Sequence, residues 1–216
     1  MKSLNLNIRD FFFSSDCIFC SEKSQGKYRY LCHKCYGKLE RKRSLRNVGN
    51  FYYIFDYDKD IKKMIGFFKL QNRRYISQIF GDLTGKYLKE IIKFEEVDIV
   101  VPVPISIKRK RERGFNQVED ILEYLKIPYK SIKRVKNTRP MHQLLNEELR
   151  KENIKNSFES SLEVQGKTIL VIDDIVTTGS TVRELIKILK SCGEPKKILV
   201  FSLAAAKTAV NNRVSF

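Results

Sequence analysis

The sequence predicts an α/β domain with a mostly parallel sheet flanked by helices, running from about residue 48 to 216. A small cysteine-rich module over residues 1–47 precedes it. Three observations carry this expectation. Ile169-Leu170-Val171-Ile172 is an apolar, mostly β-branched run of the kind buried on both faces of a parallel sheet. A second such run, Asp98 to Val101, is separated from it by helical patterns, so strands and helices take turns along the chain. Two Cys-x-x-Cys pairs, Cys17 with Cys20 and Cys32 with Cys35, stand before all of these.

At 216 residues the chain has room for one full α/β domain and a small module. Its hydrophobic content of 42% supplies an ordinary core. No apolar run approaches the roughly 18 residues that a membrane span needs. Met1-Lys2-Ser3-Leu4 opens neither a sufficient apolar stretch nor a small-residue cleavage site, so no signal peptide is expected and the cytoplasm follows by default. The formal charge is +17, and it is clustered. Residues 27–46 carry eight Lys/Arg against one acid, and residues 105–155 fourteen against seven, a net +7 in each. Clustered positive charge favours a polyanion, nucleic acid first and an anionic membrane surface second. A solvated Lys-rich surface is the plainer account of the same residues.

In chain order, Phe11, Phe12 and Phe13 are expected to pack against the small module. Eleven residues separate the two cysteine knuckles. Thiolates at that spacing can surround one Zn²⁺ tetrahedrally, and the basic, aromatic stretch between them (Lys27, Tyr28, Arg29, Tyr30) suits the hairpin of a zinc ribbon. A disulfide framework competes, but a cytosolic setting disfavours it. A redox pair would not need the second knuckle. Cys17, Cys20, Cys32 and Cys35 are therefore the expected ligands of a structural zinc, because four thiolates leave no open position. A module of about 25 residues has too little core to fold alone, and the metal would stabilise it. His33 reads as a bystander, and Cys192 as a small buried residue near a helix end.

The run Phe51 to Tyr57 predicts a strand. Residues 59–70 and 73–93 carry helical patterns, the second interrupted by Gly81 and Gly85, with Asn72-Arg73-Arg74 as a basic turn between them. Asp98 to Val101 is the next strand, stopped by Pro102-Val103-Pro104. Residues 105–116 read as a basic loop too charged to pack. Gln117 to Lys126 returns to a helix, with Val118, Ile121, Leu122 and Leu125 on one face.

The acidic pair Asp173-Asp174 follows Ile172, then a Thr/Gly/Ser loop, then a helix with Val182, Leu185, Ile186 and Leu189 on one stripe and Gly193 past its end. Strand, loop and helix N-terminus form an arrangement that holds a phosphate through backbone N–H groups, with hydroxyls as further donors. Carboxylates cannot bind phosphate, but they accept hydrogen bonds from a ribose diol or help to hold Mg²⁺. Donors for phosphate and acceptors for a diol a few residues apart describe a ribose 5-phosphate. A strand end followed by a helix cap is the plainer reading, yet a cap needs one hydroxyl and Thr177, Thr178, Ser180 and Thr181 provide four. Ile169 to Thr181 resembles, position for position, the 13-residue motif with which type I phosphoribosyltransferases bind phosphoribosyl pyrophosphate (PRPP). The resemblance assigns the ribose diol and Mg²⁺ to Asp173 and Asp174. It assigns the 5-phosphate to Thr177, Thr178, Gly179, Ser180 and Thr181.

Val101-Pro102-Val103-Pro104, the basic stretch after it, Arg111-Glu-Arg-Gly-Phe-Asn-Gln117 and the acidic motif together resemble the ComF family, from Cys17 to about Lys207. That resemblance implies a type I phosphoribosyltransferase-like fold with an amino-terminal zinc ribbon, in proteins of DNA uptake during natural transformation. PRPP is the ligand it implies; the basic clusters point to single-stranded DNA, and a third reading makes the zinc ribbon a docking module for a helicase-type competence protein. The resemblance implies the cytoplasm as location, with the inner face of the membrane beside the uptake machinery as a variant of it. Ligands of open α/β sheets bind beyond the carboxyl ends of strands, so Pro104 to Asn116 and the acidic loop should converge. Arg109, Arg113, Gly114, Asn116 and Gln117 are expected at the pyrophosphate, where Arg engages phosphate in bidentate fashion. Lys108, Lys110 and Arg111, with Arg41, Lys42 and Arg43, are expected on nucleic acid. Both ligands are polyphosphates, and one loop can serve either.

Residues 133–158, with Lys133, Arg134, Lys136, Thr138, Arg139, His142, Gln143, Arg150 and Asn153, resemble the family's hood over PRPP. This chain has Leu149-Arg150-Lys151-Glu152-Asn153 where the family more often has Arg-x-x-Arg-x-Asn. His142 is either a proton-transfer group or a solvated loop residue. Phosphoribosyl transfer needs little acid–base help, so no catalytic residue is singled out, and no base or amine site for an acceptor is visible. No amino-terminal Cys or second domain offers glutamine hydrolysis. Two function classes result: a PRPP-binding, DNA-associating competence protein, or a phosphoribosyltransferase acting on a small acceptor.

Overall fold

The apolar run at Ile169 lies in an interior strand of a five-stranded sheet, in a computed structural model that describes residues 15–24, 27–68, 75–135, 158–211 and 216. The expectations for Phe11 to Phe13, for the Asn72-Arg73-Arg74 turn and for His142 lie outside the described residues. The chain divides into two compact units, Met1–Arg43 and Ser44–Phe216.

In the larger unit the strands are β1 (Arg46–Val48), β2 (Phe51–Asp56), β3 (Ile99–Pro102), β6 (Thr168–Val176) and β7 (Lys197–Ala205), in the spatial order β1-β2-β7-β6-β3. A separate ladder joins β4 (Lys133–Arg134) to β5 (Phe158–Glu159). β6 pairs in parallel on both sides, with β3 from Ile99 opposite Ile169 to Pro102 opposite Ile172, and with β7 from Thr168 opposite Lys197 to Val176 opposite Ala205. β2 continues the parallel set on β7, and only the edge strand β1 is antiparallel. Such a sheet must be covered on both faces. One face carries Phe51, Val101, Ile169, Val171 and Val200, packed with Val182, Leu185 and Leu189. Leu170, Ile172, Leu199 and Phe201 alternate with that set and are buried as well. The expected α/β architecture is borne out.

The helices of this unit are α2 (Lys59–Phe68), α3 (Tyr75–Phe94), α4 (Ile107–Arg113), α5 (Gln117–Leu125), α6 (Ser180–Ser191) and α7 (Lys207–Asn211). α2 begins where Asp58 Oδ1 accepts from the Ile61 N–H at 3.0 Å. α3 runs unbroken through Gly81 and Gly85. These glycines are notches rather than interruptions: a Cβ on Gly81 would meet Tyr124 at 2.4 Å, and one on Gly85 would meet Leu125 at the same distance. They let α5 approach α3 closely.

Three further differences from the sequence reading matter for the site. β6 continues through Asp173 and Asp174 instead of ending before them. Lys197–Ala205, not singled out above, is a full central strand. The stretch read as a basic loop holds the helix α4, which buries none of its residues. Local capping explains α4, with Ser106 Oγ accepting from the Arg109 N–H at 3.3 Å and Gly114 ending the helix at φ 82°.

The smaller unit is built by its knuckles. Among its described residues the only β pairing is an antiparallel bridge between Asp16 and Lys23. The first knuckle turns back on itself, with Cys17 N–H donating to Glu22 O at 2.8 Å and Ser21 N–H to Cys17 O at 2.9 Å. The second opens α1 (His33–Lys42), where Cys32 is the N-cap and Cys35 and Leu39 face inward. Tyr28 stacks on Tyr36 with ring centroids 4.8 Å apart.

Candidate functional site

The acidic pair is held by the sheet itself. Asp173 lies opposite Ser202 of β7, and both carboxylates are half-buried at the carboxyl end of β6. Asp173 Oδ1 accepts from the Asp174 N–H at 2.8 Å, which fixes one carboxylate against the strand. The chain then turns through Thr177 and Thr178 to Gly179, whose φ of +74° is left-handed and whose place is the N-cap of α6. A glycine cap has no side chain to occupy the helix N-terminus, so its first N–H groups are open to an anion. Thr178 Oγ1 and Ser180 Oγ share a hydrogen bond of 2.9 Å, Ser180 is buried, and Thr177 and Thr181 are half-buried. The loop is pinned from both sides: Arg183 donates to Thr178 O, and Thr208 Oγ1 donates to Thr177 O at 3.2 Å.

β3 delivers the basic side. Val103 N–H donates to Ile172 O at 2.8 Å, so Pro104 leaves the sheet one strand away from Asp173. On α4, Lys108, Lys110 and Arg111 are exposed while Arg109 and Arg113 are half-buried. Burial, followed by the repulsion of Arg109, pulls the Arg113 guanidinium below its ordinary value, against the attraction of Asp174 and Glu112. The same balance holds at Arg134, pulled down to about 10 by burial first and Arg109 second, with Asp173 opposing. Like charges that disturb one another mark a place where positive charge has been gathered at a cost, and a bound polyanion would relieve it. The loop from Pro104 and the acidic strand end do converge.

Asn116 and Gln117 are both buried. The Asn116 side chain is engaged within the loop, donating to Val103 O at 3.2 Å and accepting from the Val118 N–H at 3.1 Å. It shapes the loop by tying its start to its end. Gln117 has its Nε2 without a hydrogen-bond partner among the described residues, an orphaned donor beside the basic helix. Gly114, the αL cap of α4, is exposed.

The sequence reading placed Arg134 among the hood residues but gave it no contact with the start of the basic helix. Its partners Pro104, Phe158 and Asp173 are remote in the chain, and no local pattern reports such a convergence. The local signal was an arginine between Lys133 and Val135, with Ile132 beyond.

In the smaller unit the sulfurs of Cys17, Cys20, Cys32 and Cys35 all lie within 4.8 Å of one another. A tetrahedral zinc with 2.3 Å bonds places its sulfurs about 3.8 Å apart. The 3.6 Å between Cys20 and Cys32 Sγ fits that figure and is far too long for a disulfide. Burial pushes the Cys17 thiol up, but the backbone N–H groups of Cys32, Cys20 and Phe19 outweigh it and leave it at about 7. Burial and the neighbouring sulfurs hold Cys35 well above the ordinary thiol range. Thiols crowded in this way compete for one proton set, and a divalent cation is what would stabilise them all as thiolates. The four residues fit a metal such as zinc. Cys192 stands apart, its thiol donating to Ser160 O and Ile188 O at 3.3 Å.

Arg41 and Lys42 are exposed in the last turn of α1, and Arg43 follows as its C-cap, paired with Glu40 at 3.1 Å. No described helix is long and apolar enough to cross a membrane.

A family model described as the phosphoribosyl transferase domain matches residues 76–212. The chain is also similar to the DNA utilization protein YhgH of Escherichia coli (strain K12), 32% identical over 148 residues that cover 63% of each protein. It is 30% identical over 165 residues to Competence protein F of Haemophilus influenzae, covering 71% of each. To Competence protein ComFC of Streptococcus pneumoniae it is 32% identical over 155 residues, covering 69% of this chain and 66% of that one. The match to YhgH thus spans somewhat under two thirds of that relative's length. With the domain model covering most of the chain, and competence proteins at this identity over most of their length, the chain belongs to the phosphoribosyl transferase domain family, among the ComF proteins.

Proposed function

We propose that this chain binds PRPP at the carboxyl ends of β6 and β3 and takes part in handling single-stranded DNA during DNA uptake. The observation that carries the proposal is the meeting of three unlike parts. Asp173 and Asp174 lie near the carboxyl end of one strand, a glycine-capped helix N-terminus follows, and Arg113 of α4 reaches Asp174 with its charge. In this reading the carboxylates accept from the ribose diol. The N–H groups and hydroxyls of Thr177 to Thr181 take the 5-phosphate. Arg109 and Arg113 neutralise the pyrophosphate, with Gly114, Asn116 and Gln117 shaping that side of the loop. The oxygen donors of Asp173 and Asp174 suit Mg²⁺, which would screen the phosphate charge when bound. The DNA role is supported by the printed names of the relatives and by exposed Lys108, Lys110 and Arg111. Arg41, Lys42 and Arg43 form a second basic run for the same partner. A helicase-type competence protein is the corresponding protein partner, and the cytoplasm the corresponding compartment. The domain boundary of this reading lies between residues 43 and 48.

A second reading is favoured by the family itself: a phosphoribosyltransferase in which an acceptor attacks the anomeric carbon of PRPP. The bond from that carbon to the pyrophosphate oxygen breaks, and pyrophosphate leaves with the electron pair. His142 is then the candidate for the acceptor's proton.

Calorimetric titration of PRPP with Mg²⁺ into the zinc-loaded chain tests the site. Asp173→Asn/Asp174→Asn is expected to weaken binding at least about tenfold. Equal binding by wild type and double variant overturns the site, and absence of heat in both overturns the PRPP reading. For DNA, Lys108→Glu/Lys110→Glu/Arg111→Glu should reduce the salt slope of single-strand binding by about 2. A salt-independent or absent DNA signal rejects that half of the proposal. Pyrophosphate released only when an acceptor is supplied decides for the second reading.

A further inference from the structure

Arg134 is 6% exposed, the only buried cation among the described residues. Burying a guanidinium is costly unless its donors are used, so its surroundings are informative. Its Nη1 donates to Pro104 O at 3.1 Å, where the chain leaves β3 for α4. Its guanidinium lies 5.4 Å from the centroid of the Phe158 ring, and Phe158 is its partner across the β4–β5 ladder. One side chain therefore joins two places: the start of the basic helix, and the two chain ends that bracket residues 135–157. A lysine could supply the charge but not the planar fork that donates and stacks at once.

We propose that Arg134 is a positioning residue for the anion site, holding the Pro104 carbonyl so that α4 starts in a fixed place and tying that start to Phe158. The inference rests on the reading of this site as one for a polyphosphate. α4 buries no residue of its own, so core packing does not determine where it sits. What holds it is its ends: the Ser106 cap, Gly114, and the carbonyl that Arg134 grips. The side chain also lies close enough to Asp173 for that carboxylate to favour its charged form. Loss of Arg134 would thus loosen the basic side of the site and leave the acidic side, fixed in the sheet, where it is.

The test is hydrogen exchange of the ligand-free, zinc-loaded full chain, wild type against Arg134→Met and Arg134→Lys. Lys110 and Gly114 donate their N–H groups to Ser106 O and Lys110 O at 2.8 Å, so their amides report the opening of α4. In Arg134→Met they should exchange about tenfold faster or more, with the slowest amides of β6 and β7 unchanged. Arg134→Lys should fall between the two. Unchanged exchange at Lys110 and Gly114 overturns the proposal, as does acceleration shared equally by β6 and β7, which marks a general loss of stability. Should Arg134→Met not fold, Phe158→Leu, which keeps the arginine but removes the ring beneath it, must still accelerate the α4 amides selectively. PRPP titration of the same proteins separates the two claims. A wild type that fails to bind refutes the site, whereas the anchor stands or falls on the exchange of α4 alone.

Discussion

Gly81 of α3 lies so close to Tyr124 of α5 that a Cβ at the glycine would stand 2.4 Å from the tyrosine Cδ1. The ring is held there by its hydroxyl, which donates to Asp82 Oδ1 at 2.9 Å. Gly81→Ala gains about 1 kcal/mol of helix propensity and incurs about 1–3 kcal/mol of overpacking. The expected net effect is a loss of about 1 kcal/mol, or about 2–4 °C in Tm. Made in a Tyr124→Ala background the same change should stabilise, because the clash is gone. A thermal-melt double-mutant cycle measures both, and additive effects would contradict the close approach.

Asn116 connects the two ends of the basic loop, Val103 and Val118, with one buried amide. Asn116→Ala leaves a buried carbonyl and the Val118 N–H in the first turn of α5 without that amide, which should cost about 1–3 kcal/mol. The urea midpoint should fall with the slope unchanged. PRPP affinity should fall further than in Gly81→Ala, since the substitution frees the loop that carries Arg109 and Arg113.

Tyr52, Glu95 and Lys197 make the stability of the larger unit sensitive at both ends of the pH scale. Lys197 Nζ and Tyr52 OH both reach the Glu95 carboxylate at 2.5 Å. The Lys197 bond, followed by the Tyr52 bond, holds Glu95 below its ordinary 4.5. Its contribution is therefore complete above 4.5 and is lost as pH falls through the lower folded value. Tyr52 is shifted the opposite way, up to about 12 from 10, by burial first and by Glu95 second. Its contribution is complete below 10 and disappears between 10 and 12. Glu95→Gln should flatten the acid limb of a plot of urea midpoint against pH, and Tyr52→Phe the alkaline limb. Since Lys197 is nearly half exposed, added salt should weaken the acid effect.

Cys20 is the exposed member of the thiol cluster, so replacing it disturbs packing least. The wild-type chain should carry about one zinc, released by chelator. Cys20→Ser should lower zinc affinity and speed exchange of the α1 amides, which begin at the knuckle. Equal zinc content in variant and wild type would show that Cys20 is not a ligand.

Local signals in the sequence were good guides to local structure. Ile169 to Ile172, the helix from Val182 to Leu189 and the paired cysteines each have a period or spacing of their own, and each appears as expected. Gly81 and Gly85 misled because propensity describes a helix alone, and here a neighbouring helix uses the missing side chains. Residues 107–113 misled in the other direction: a helix with nothing to bury shows no apolar stripe, and only Ser106 and Gly114 announced it. Arg134 was placed in the hood by resemblance, but its contacts were out of reach for a different reason. Its role depends on Pro104 and Phe158, 30 residues before and 24 after it, and only folding brings them together.

The bare surface of α4 has a consequence for how such a protein can change over generations. Residues that support no core can be exchanged with little penalty to folding, so charge at Lys108, Lys110 and Arg111 is free to drift. The backbone that presents Asp173 has no such freedom of position, because its strand has a hydrogen-bonded neighbour on either side. One half of the site is thus inherited with the architecture and the other half is open to selection. A lineage could change the charge of the basic half and keep the placement of the carboxylate half.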